Sequence, residues 1–474
     1  MTIKPLTALY PYQQEAYDKL KRLKVGALYM EMGTGKTRVT LELISLRLRR
    51  EKIRQVLWFC PCSVRENLAQ DIVVHCGELP ECIKIVGTES IAGSDRVYLE
   101  CLDYVADGQT MLVVDESNMI KNHRAKRTER ICEISKKCTY KMILNGTPVS
   151  RNEADLFAQW YILDPEILGY KSYYSFAANH LEYWTVKLPS GIEVKTDKVK
   201  NVLHIPYLTE KIALYTYQIK KSETGVALPE KRYHTEYFDL TADQALLYTQ
   251  TRDDYLMAFV DETDDTAIYK MFTALAHVSS GRIVTSAPVE RMQTADIFED
   301  IEKNPRIKAL GKVLDNIGNE KAIIFAKYQQ EADEIAELIR RRGGTPAQYI
   351  GKIPYKKRIE SIQAFRGGTQ YLIANKACGA YGLNLQFCHN IVFYDNDFDF
   401  ATRAQAEDRI HRIGQDQVCH IYDICGNGTL DEFILNNLQK KENMVAAFKR
   451  YIQEMKNKKV KGKKFVDRET AKSA

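Results

Sequence analysis

Residues 30–37 read Met-Glu-Met-Gly-Thr-Gly-Lys-Thr, directly after the apolar run 27–29 and directly before a helical pattern over 37–49. A buried strand, a glycine turn and a helix in that order build a cradle for the phosphates of a nucleotide. Gly33 and Gly35 let the backbone turn its N–H groups inward at the helix N-terminus, where they bond anionic oxygens. Lys36 is placed to reach the β and γ phosphates, and the Thr37 hydroxyl to ligate magnesium. The first glycine of the full G-x-x-x-x-G-K-[ST] pattern is Met30 here, so the flanking strand and helix carry much of the assignment. The bland alternative is a glycine-rich turn capping an ordinary helix.

Working outward, short apolar runs recur at 27–30, 56–60, 83–86, 111–114 and 141–144, each followed by a polar or glycine-containing turn and mostly by helix-compatible sequence. That rhythm predicts a parallel sheet covered on both faces. A second series at 321–326, 346–350, 370–374, 390–394 and 418–424 predicts a second α/β domain. Between its first two runs, 329–341 reads as an amphipathic helix, with Ala332, Ile335, Ala336 and Ile339 on one side. The second series holds no further phosphate loop, so one nucleotide site is expected to serve both domains.

Residues 151–303 differ in character. Phe157, Trp160, Tyr161, Tyr170, Tyr173, Tyr174, Phe176, Tyr183 and Trp184 form an aromatic stretch, and much of the chain after Thr241 is helix-compatible. Without regular basic spacing these rings read as packing rather than a base-stacking platform. The polar segment 190–200 reads as a hairpin tip or mobile loop. The expected organisation is a first lobe over 1–165, an insertion and linker over 166–303, a second lobe over 304–450 and a basic flexible tail over 451–474.

With 474 residues, 45% hydrophobic and 27% charged, the chain suits two or three folded domains rather than extensive disorder. No apolar run approaches the ~20 residues of a membrane span, so a soluble, intracellular protein is expected, in cytoplasm, nucleoid or host cytoplasm, with a nuclear site left open. Eleven cysteines without paired C-x-x-C knuckles read as reduced thiols and argue against a disulfide framework or zinc module. The formal net charge of +6 equals that of the segment 456–474, with its eight Lys or Arg against two acids. Polyanion contacts elsewhere must therefore come from organised patches, of which Lys356, Lys357 and Arg358 are one.

Asp115 and Glu116 follow Met-Leu-Val-Val, which puts two carboxylates at the carboxyl end of a buried strand. Asp115 is assigned to the magnesium shell and Glu116 to the attacking water. Asn145, Gly146, Thr147 and Pro148 end the next strand and are suited to sensing the nucleotide. In the second domain Arg409 and Arg412 sit three apart in Gln-Ala-Glu-Asp-Arg-Ile-His-Arg-Ile-Gly-Gln, 405–415, so on a helix both would point across one cleft toward developing phosphate charge.

Taken in order, these motifs resemble the Snf2 family of superfamily 2 ATPases across roughly residues 5–435. Pro11-Tyr12-Gln13 resembles the adenine-reading opening motif, and residues 30–37 match motif I, in which the family often lacks the first glycine. Cys60-Pro61-Cys62-Ser63 with Asn67 resembles motif Ia, with Leu68 where Trp is common. Asp115-Glu116-Ser117-Asn118 stands in place of the common Asp-Glu-Ala-His. Leu144-Asn145-Gly146-Thr147-Pro148, then Asn152 and Leu156, resemble motif III. Residues 375–385 resemble motif V, with Cys378 and Tyr381 as departures, and 394–398 with 405–415 match the run into motif VI.

The resemblance implies two RecA-like parallel-sheet lobes with an aromatic-rich, largely helical insertion between them. Expected ATP contacts are Gln13, Gly33, Thr34, Gly35, Lys36, Thr37, Arg38, Gly382 and Gln405, with Mg2+ on Thr37 and Asp115. Catalysis is expected from Lys36, Asp115, Glu116, Arg409 and Arg412. Ser63, Asn67, Gly146, Thr147 and the Lys356, Lys357, Arg358 patch are expected to contact nucleic acid or couple to it. The implied activity is ATP-driven translocation on double-stranded DNA by a monomer, with no membrane and no zinc. A strand-separating helicase and a nucleotide-gated DNA clamp with slow hydrolysis are the alternatives.

Overall fold

The computed structural model describes residues 3–146, 153–187, 192–258, 265–286, 293–375, 385–396 and 400–440. The chain forms two compact units that meet in sequence between Ala227 and Leu228. The first contains β1 (Val25–Met30), β2 (Gln55–Cys60), β3 (Ile83–Gly87), β4 (Thr110–Val114), β5 (Tyr140–Asn145), β6 (Leu181–Lys187), β7 (Glu193–Val202) and β8 (Thr216–Ile219). Six of these make one wholly parallel sheet in the order β3-β2-β4-β5-β1-β8.

Local sequence explains these strands. β1 (VGALYM) and β4 (TMLVV) are buried at every position, as continuous apolar runs must be when helices cover both faces of a sheet. The helix Lys36–Arg49 starts where Gly35 takes a left-handed φ of 84°, and buries Val39, Leu41, Leu43 and Ile44. Trp58 and Trp160 are fully buried.

The second unit contains β9 (Lys231–Phe238), β10 (Arg282–Ser286), β11 (Gln293–Asp296), β12 (Ala322–Phe325), β13 (Ala347–Tyr349), β14 (Tyr371–Ala374), β15 (Asn390–Phe393) and β16 (Cys419–Gly426). Its main sheet is parallel throughout, in the order β13-β14-β12-β15-β16-β9. The expected helix is present at Gln329–Arg341, with Ala332, Ile335, Ala336 and Ile339 in the core. A buried cation holds this unit together. Arg306 donates to the Tyr394 carbonyl at 2.8 Å and to Ser279 Oγ at 2.7 Å, and pairs with Asp431.

These are two RecA-like lobes, and the aromatic-rich helical insertion lies between their sheets in the sequence. It is shared between the units: β8 adds the last strand to the first sheet and β9 the last strand to the second. Phe157, Trp160, Tyr161, Tyr170, Tyr173 and Phe176 belong to the core of the first unit, so packing accounts for them, whereas Tyr174 and Trp184 are 69% and 54% exposed. β6 and β7 pair as an antiparallel hairpin, so residues 193–200 of the polar segment form a strand rather than a tip or mobile loop.

Among the described residues no helix is long and apolar enough to cross a membrane, and no three His, Cys, Asp or Glu side chains gather as metal ligands. All ten described cysteines are thiols; Cys60, Cys101, Cys138, Cys388, Cys419 and Cys425 are among the buried ones. Thr147, Pro148, Asn152, Cys378, Tyr381, Gly382 and the basic tail lie outside the described residues.

Candidate active site

In the first sheet β1 and β4 are separated only by β5, so the phosphate loop, the acid pair and Asn145 emerge from the carboxyl ends of three adjacent strands. The loop between β1 and the helix Lys36–Arg49 turns on two left-handed glycines, Gly33 at φ 81° and Gly35 at φ 84°. Thr34 anchors it by donating Oγ1 to the Glu31 carbonyl at 2.6 Å. The Thr34 carbonyl accepts from Gln13 Nε2 at 2.9 Å and from the Tyr12 hydroxyl at 3.0 Å. Gln13 Oε1 in turn accepts the Tyr10 N–H at 3.0 Å.

Gln13, expected as an adenine contact, is thus a buried brace of the phosphate loop. Lys36 Nζ donates to the Met30 carbonyl at 3.1 Å, which holds the ammonium across the loop. Arg38, expected on ATP, spends its guanidinium on the Thr7 carbonyl, at 2.6 Å from Nη2, and on Glu42 at 2.9 Å. That geometry fastens the segment before the first helix to the helix leaving the loop.

Asp115 continues the β4 ladder, donating its N–H to the Phe59 carbonyl at 2.8 Å, and its Oδ1 accepts the Glu116 N–H at 2.9 Å. Glu116 is held at φ 48°, a left-handed conformation that disfavours side chains with a Cβ and in which such residues gather at functional sites. Burial and the adjacent Glu116 push the Asp115 carboxyl up to about 7, while the Lys36 ammonium pulls it down. The donor set of Thr37 hydroxyl and Asp115 carboxylate is all hard oxygen, which fits a magnesium ion; its charge would favour the ionised form of Asp115.

Asn145 ends β5 with its side chain buried; Oδ1 accepts the Gly146 N–H at 2.8 Å, and Nδ2 has no partner among the described residues. Asn118 Oδ1 is a second buried atom without a described partner. Ser63 lies in the short turn Cys62–Val64 after β2, and Asn67 in the following helix Arg65–Cys76. Sequence reasoning missed Glu89, just after β3. Its carboxylate accepts the Cys62 N–H at 2.8 Å and the Thr88 hydroxyl at 3.1 Å. Burial opposes its charge, but those hydrogen bonds hold its pKa below the ordinary value. The Thr-Glu pair after an apolar run was the available signal.

The second unit corrects one expectation. The helix Phe400–Glu407 stops before Arg409, so Arg409 and Arg412 do not share a helical face. Turn-type bonds enter the ladder here, with the Arg409 N–H on the Ala406 carbonyl at 3.2 Å and the Ile410 N–H on that of Glu407 at 3.2 Å, and the His411 N–H on the Glu407 carbonyl at 3.0 Å is the last helical bond. Gly414 then reverses the chain at φ 98°. Gln415 pins this turn through Nε2, which donates to the Gln386, Cys388 and Ile410 carbonyls at 3.0, 3.0 and 3.2 Å. Arg409 is buried, and Gln405 lies within the helix.

The side chain holding this helix to its sheet is Arg403. It pairs bidentately with Asp423 at 2.5 and 2.9 Å, donates to Asn396 at 2.7 Å and stacks 4.2 Å from the Phe393 ring. Lys356 and Lys357 are exposed on the helix Tyr355–Arg366, whereas Arg358 is half-buried over the Tyr349 ring at 5.5 Å. Only the first two present free-standing charge to a polyanion.

Comparison with known proteins matches residues 17–285 to the SNF2-related domain and residues 305–414 to the helicase conserved C-terminal domain. YwqA of Bacillus subtilis (strain 168) is 26% identical over 464 residues, covering 92% of this chain and 48% of that protein. The mouse SWI/SNF-related matrix-associated actin-dependent regulator of chromatin subfamily A member 1 is 24% identical, covering 91% of this chain and 42% of its own. The chain therefore spans about half the length of such curated relatives. Among solved structures, the Sulfolobus solfataricus SWI2/SNF2 ATPase core in complex with dsDNA aligns over 93% of this chain and 92% of that one, at 20% identity and a TM-score of 0.40.

Proposed function

Because this chain belongs to the SNF2 family of helicase-like ATPases, we propose that it hydrolyses ATP with magnesium and uses the cycle to translocate along double-stranded DNA inside the cell, as a monomer. The observation that carries the reading is the phosphate loop, with the Lys36 ammonium acting on Asp115 just after β4. Bound magnesium would supply positive charge to the transferring phosphate. Backbone N–H groups of residues 33–37 cradle the phosphates, and the Lys36 ammonium leaves the Met30 carbonyl for them. Thr37 and Asp115 would hold that magnesium cation.

Glu116 is the base that orients and deprotonates the attacking water, and its left-handed backbone aims a carboxylate that an extended strand would carry elsewhere. Arg409 and Arg412 stabilise charge as water attacks the γ-phosphorus and its bond to the departing ADP breaks, so turnover requires the second unit. Gly33, Thr34 and Gly35 shape the loop, and Gln405 and Gly382 are further nucleotide contacts. Lys356, Lys357, Ser63, Asn67, Gly146 and Thr147 serve the DNA side or its coupling.

The test measures ATP turnover with duplex DNA, single-stranded DNA and RNA at one salt concentration. Duplex DNA should stimulate most, and the protein should displace a triplex strand without unwinding a forked duplex. Preference for RNA, or no stimulation by any nucleic acid, overturns the translocase reading. Unwinding of the fork would make it a strand-separating helicase, and ATP-dependent DNA retention without stimulated turnover a clamp.

A further inference from the structure

In the first unit, consecutive residues of the helix Leu156–Leu163 reach strand β1 and the turn that follows β4. Trp160 Nε1 donates to the Tyr29 hydroxyl at 3.1 Å, and Tyr29 is the residue in β1 next to Met30, where the loop begins. Gln159 Oε1 accepts from Ser117 Oγ at 2.5 Å, and Ser117 directly follows Glu116. Ser117 and Gln159 are both 0% exposed. The orientation of the Gln159 amide is set from its other end, because Nε2 donates to the Asp155 carbonyl at 2.9 Å. A second tie runs beside it, Lys121 Nζ to Asp155 at 3.4 Å.

Glu116 needs such ties. A left-handed glutamate is not held there by its own backbone preference and persists only where its surroundings fix it. Its carbonyl opens the short turn Ser117–Ile120 by accepting the Met119 N–H at 2.9 Å, so the conformation of Glu116 and the anchoring of that turn are one problem. The family's common form has alanine at the position of Ser117, which brings no hydroxyl into this buried place. Here the hydroxyl must be satisfied, and Gln159 satisfies it.

We propose that Gln159 is a positioning residue for hydrolysis, holding the Glu116 turn in its left-handed conformation through Ser117. The inference rests on the reading of Glu116 as the base. Gln159 touches neither nucleotide nor water in this scheme and acts only through the Ser117 hydroxyl. Its loss therefore leaves the phosphate cradle intact and misdirects the base, an effect that appears in kcat and not in KM.

The experiment compares Gln159→Leu, Ser117→Ala and the double variant in the full chain, by hydrogen exchange over 115–121 and by steady-state ATP turnover. In Gln159→Leu the amides of this turn should exchange faster, by about tenfold. Its kcat should fall by about tenfold or more with ATP KM changed less than about twofold. The double variant should be no slower than Gln159→Leu, because both changes remove one interaction. Unchanged exchange in the turn, a kcat within about twofold of the parent, or losses that multiply in the double variant each overturn the proposal. A parent chain that does not hydrolyse ATP at all sinks the functional reading instead, and the exchange rates then judge the Gln159 lock by themselves.

Discussion

Replacing Gly35 with alanine should cripple nucleotide binding without touching any group that contacts phosphate chemically. A Cβ at Gly35 would collide with Gln13 Nε2. The Gln13 amide would have to move, giving up its bonds to the Thr34 carbonyl at 2.9 Å and the Tyr10 N–H at 3.0 Å. Each such bond contributes about 1 kcal/mol net. The left-handed φ of 84° adds about 1–2 kcal/mol for a residue with a Cβ. Together about 3–4 kcal/mol is set against the binding-competent loop, which weakens ATP affinity by about 100- to 1,000-fold if the loop relaxes when empty. Titration with a fluorescent ATP analogue measures this, and the thermal midpoint should fall by far less than a collapsed first unit requires. Affinity within threefold of the parent would refute the idea that Gln13 and Gly35 jointly set the loop.

Lys36→Ala should abolish measurable ATP binding, whereas Glu116→Gln should bind ATP near normally and release little phosphate; equilibrium binding beside phosphate release would expose a reversed pair of phenotypes. Arg409→Ala or Arg412→Ala should lower stimulated turnover about a hundredfold while sparing nucleotide affinity, and turnover within twofold at saturating ATP and DNA removes that arginine from the catalytic set. His277 is buried against Tyr328, with ring centroids 4.2 Å apart. Burial, Arg282 and Lys327 lower its pKa from 6.5 to about 4. Between those values the unfolded chain binds more protons than the folded one, so stability is lost as pH falls through that window, by about 2 kcal/mol near pH 5. His277→Leu should flatten that dependence in denaturant titrations of the second unit, and an unaltered slope would clear His277 of it.

Most of the two sheets could be read from the chain because a doubly covered parallel strand is an unbroken apolar run. The runs at 56–60 and 111–114 fall in strands, and those at 321–326 and 390–394 overshoot β12 and β15 by no more than one residue at an end. Two of the four edge strands, β8 and β9, were hidden for the same reason, whereas the edge strands β3 and β13 correspond to the runs at 83–86 and 346–350. β9 reads Lys-Arg-Tyr-His-Thr-Glu-Tyr-Phe, and its partly exposed position lets polar residues in. Lys36 and the Asp115–Glu116 pair were legible because their chemistry fixes both residue type and strand-end placement. The end of the helix at Glu407 was not, since no glycine or proline precedes Arg409 and the stop is imposed by Gln415 and Gly414 downstream. Nor was the Ser117–Gln159 bond, which joins positions 42 apart with no periodic signal.

The buried thiols give the molecule a reporter of its own integrity. Cys60, Cys101 and Cys138 sit in the first unit and Cys388, Cys419 and Cys425 in the second. Burial raises the pKa of Cys60, and those of Cys101 to about 11 and of Cys138, Cys388 and Cys425 to about 12. A sulfhydryl both shielded and protonated reacts slowly with alkylating reagents until its surroundings open. Pulse alkylation followed by peptide mass measurement would therefore clock the opening of each unit separately, in one sample and without an added label. Nucleotide and DNA could then be ranked by which of the two clocks each one slows.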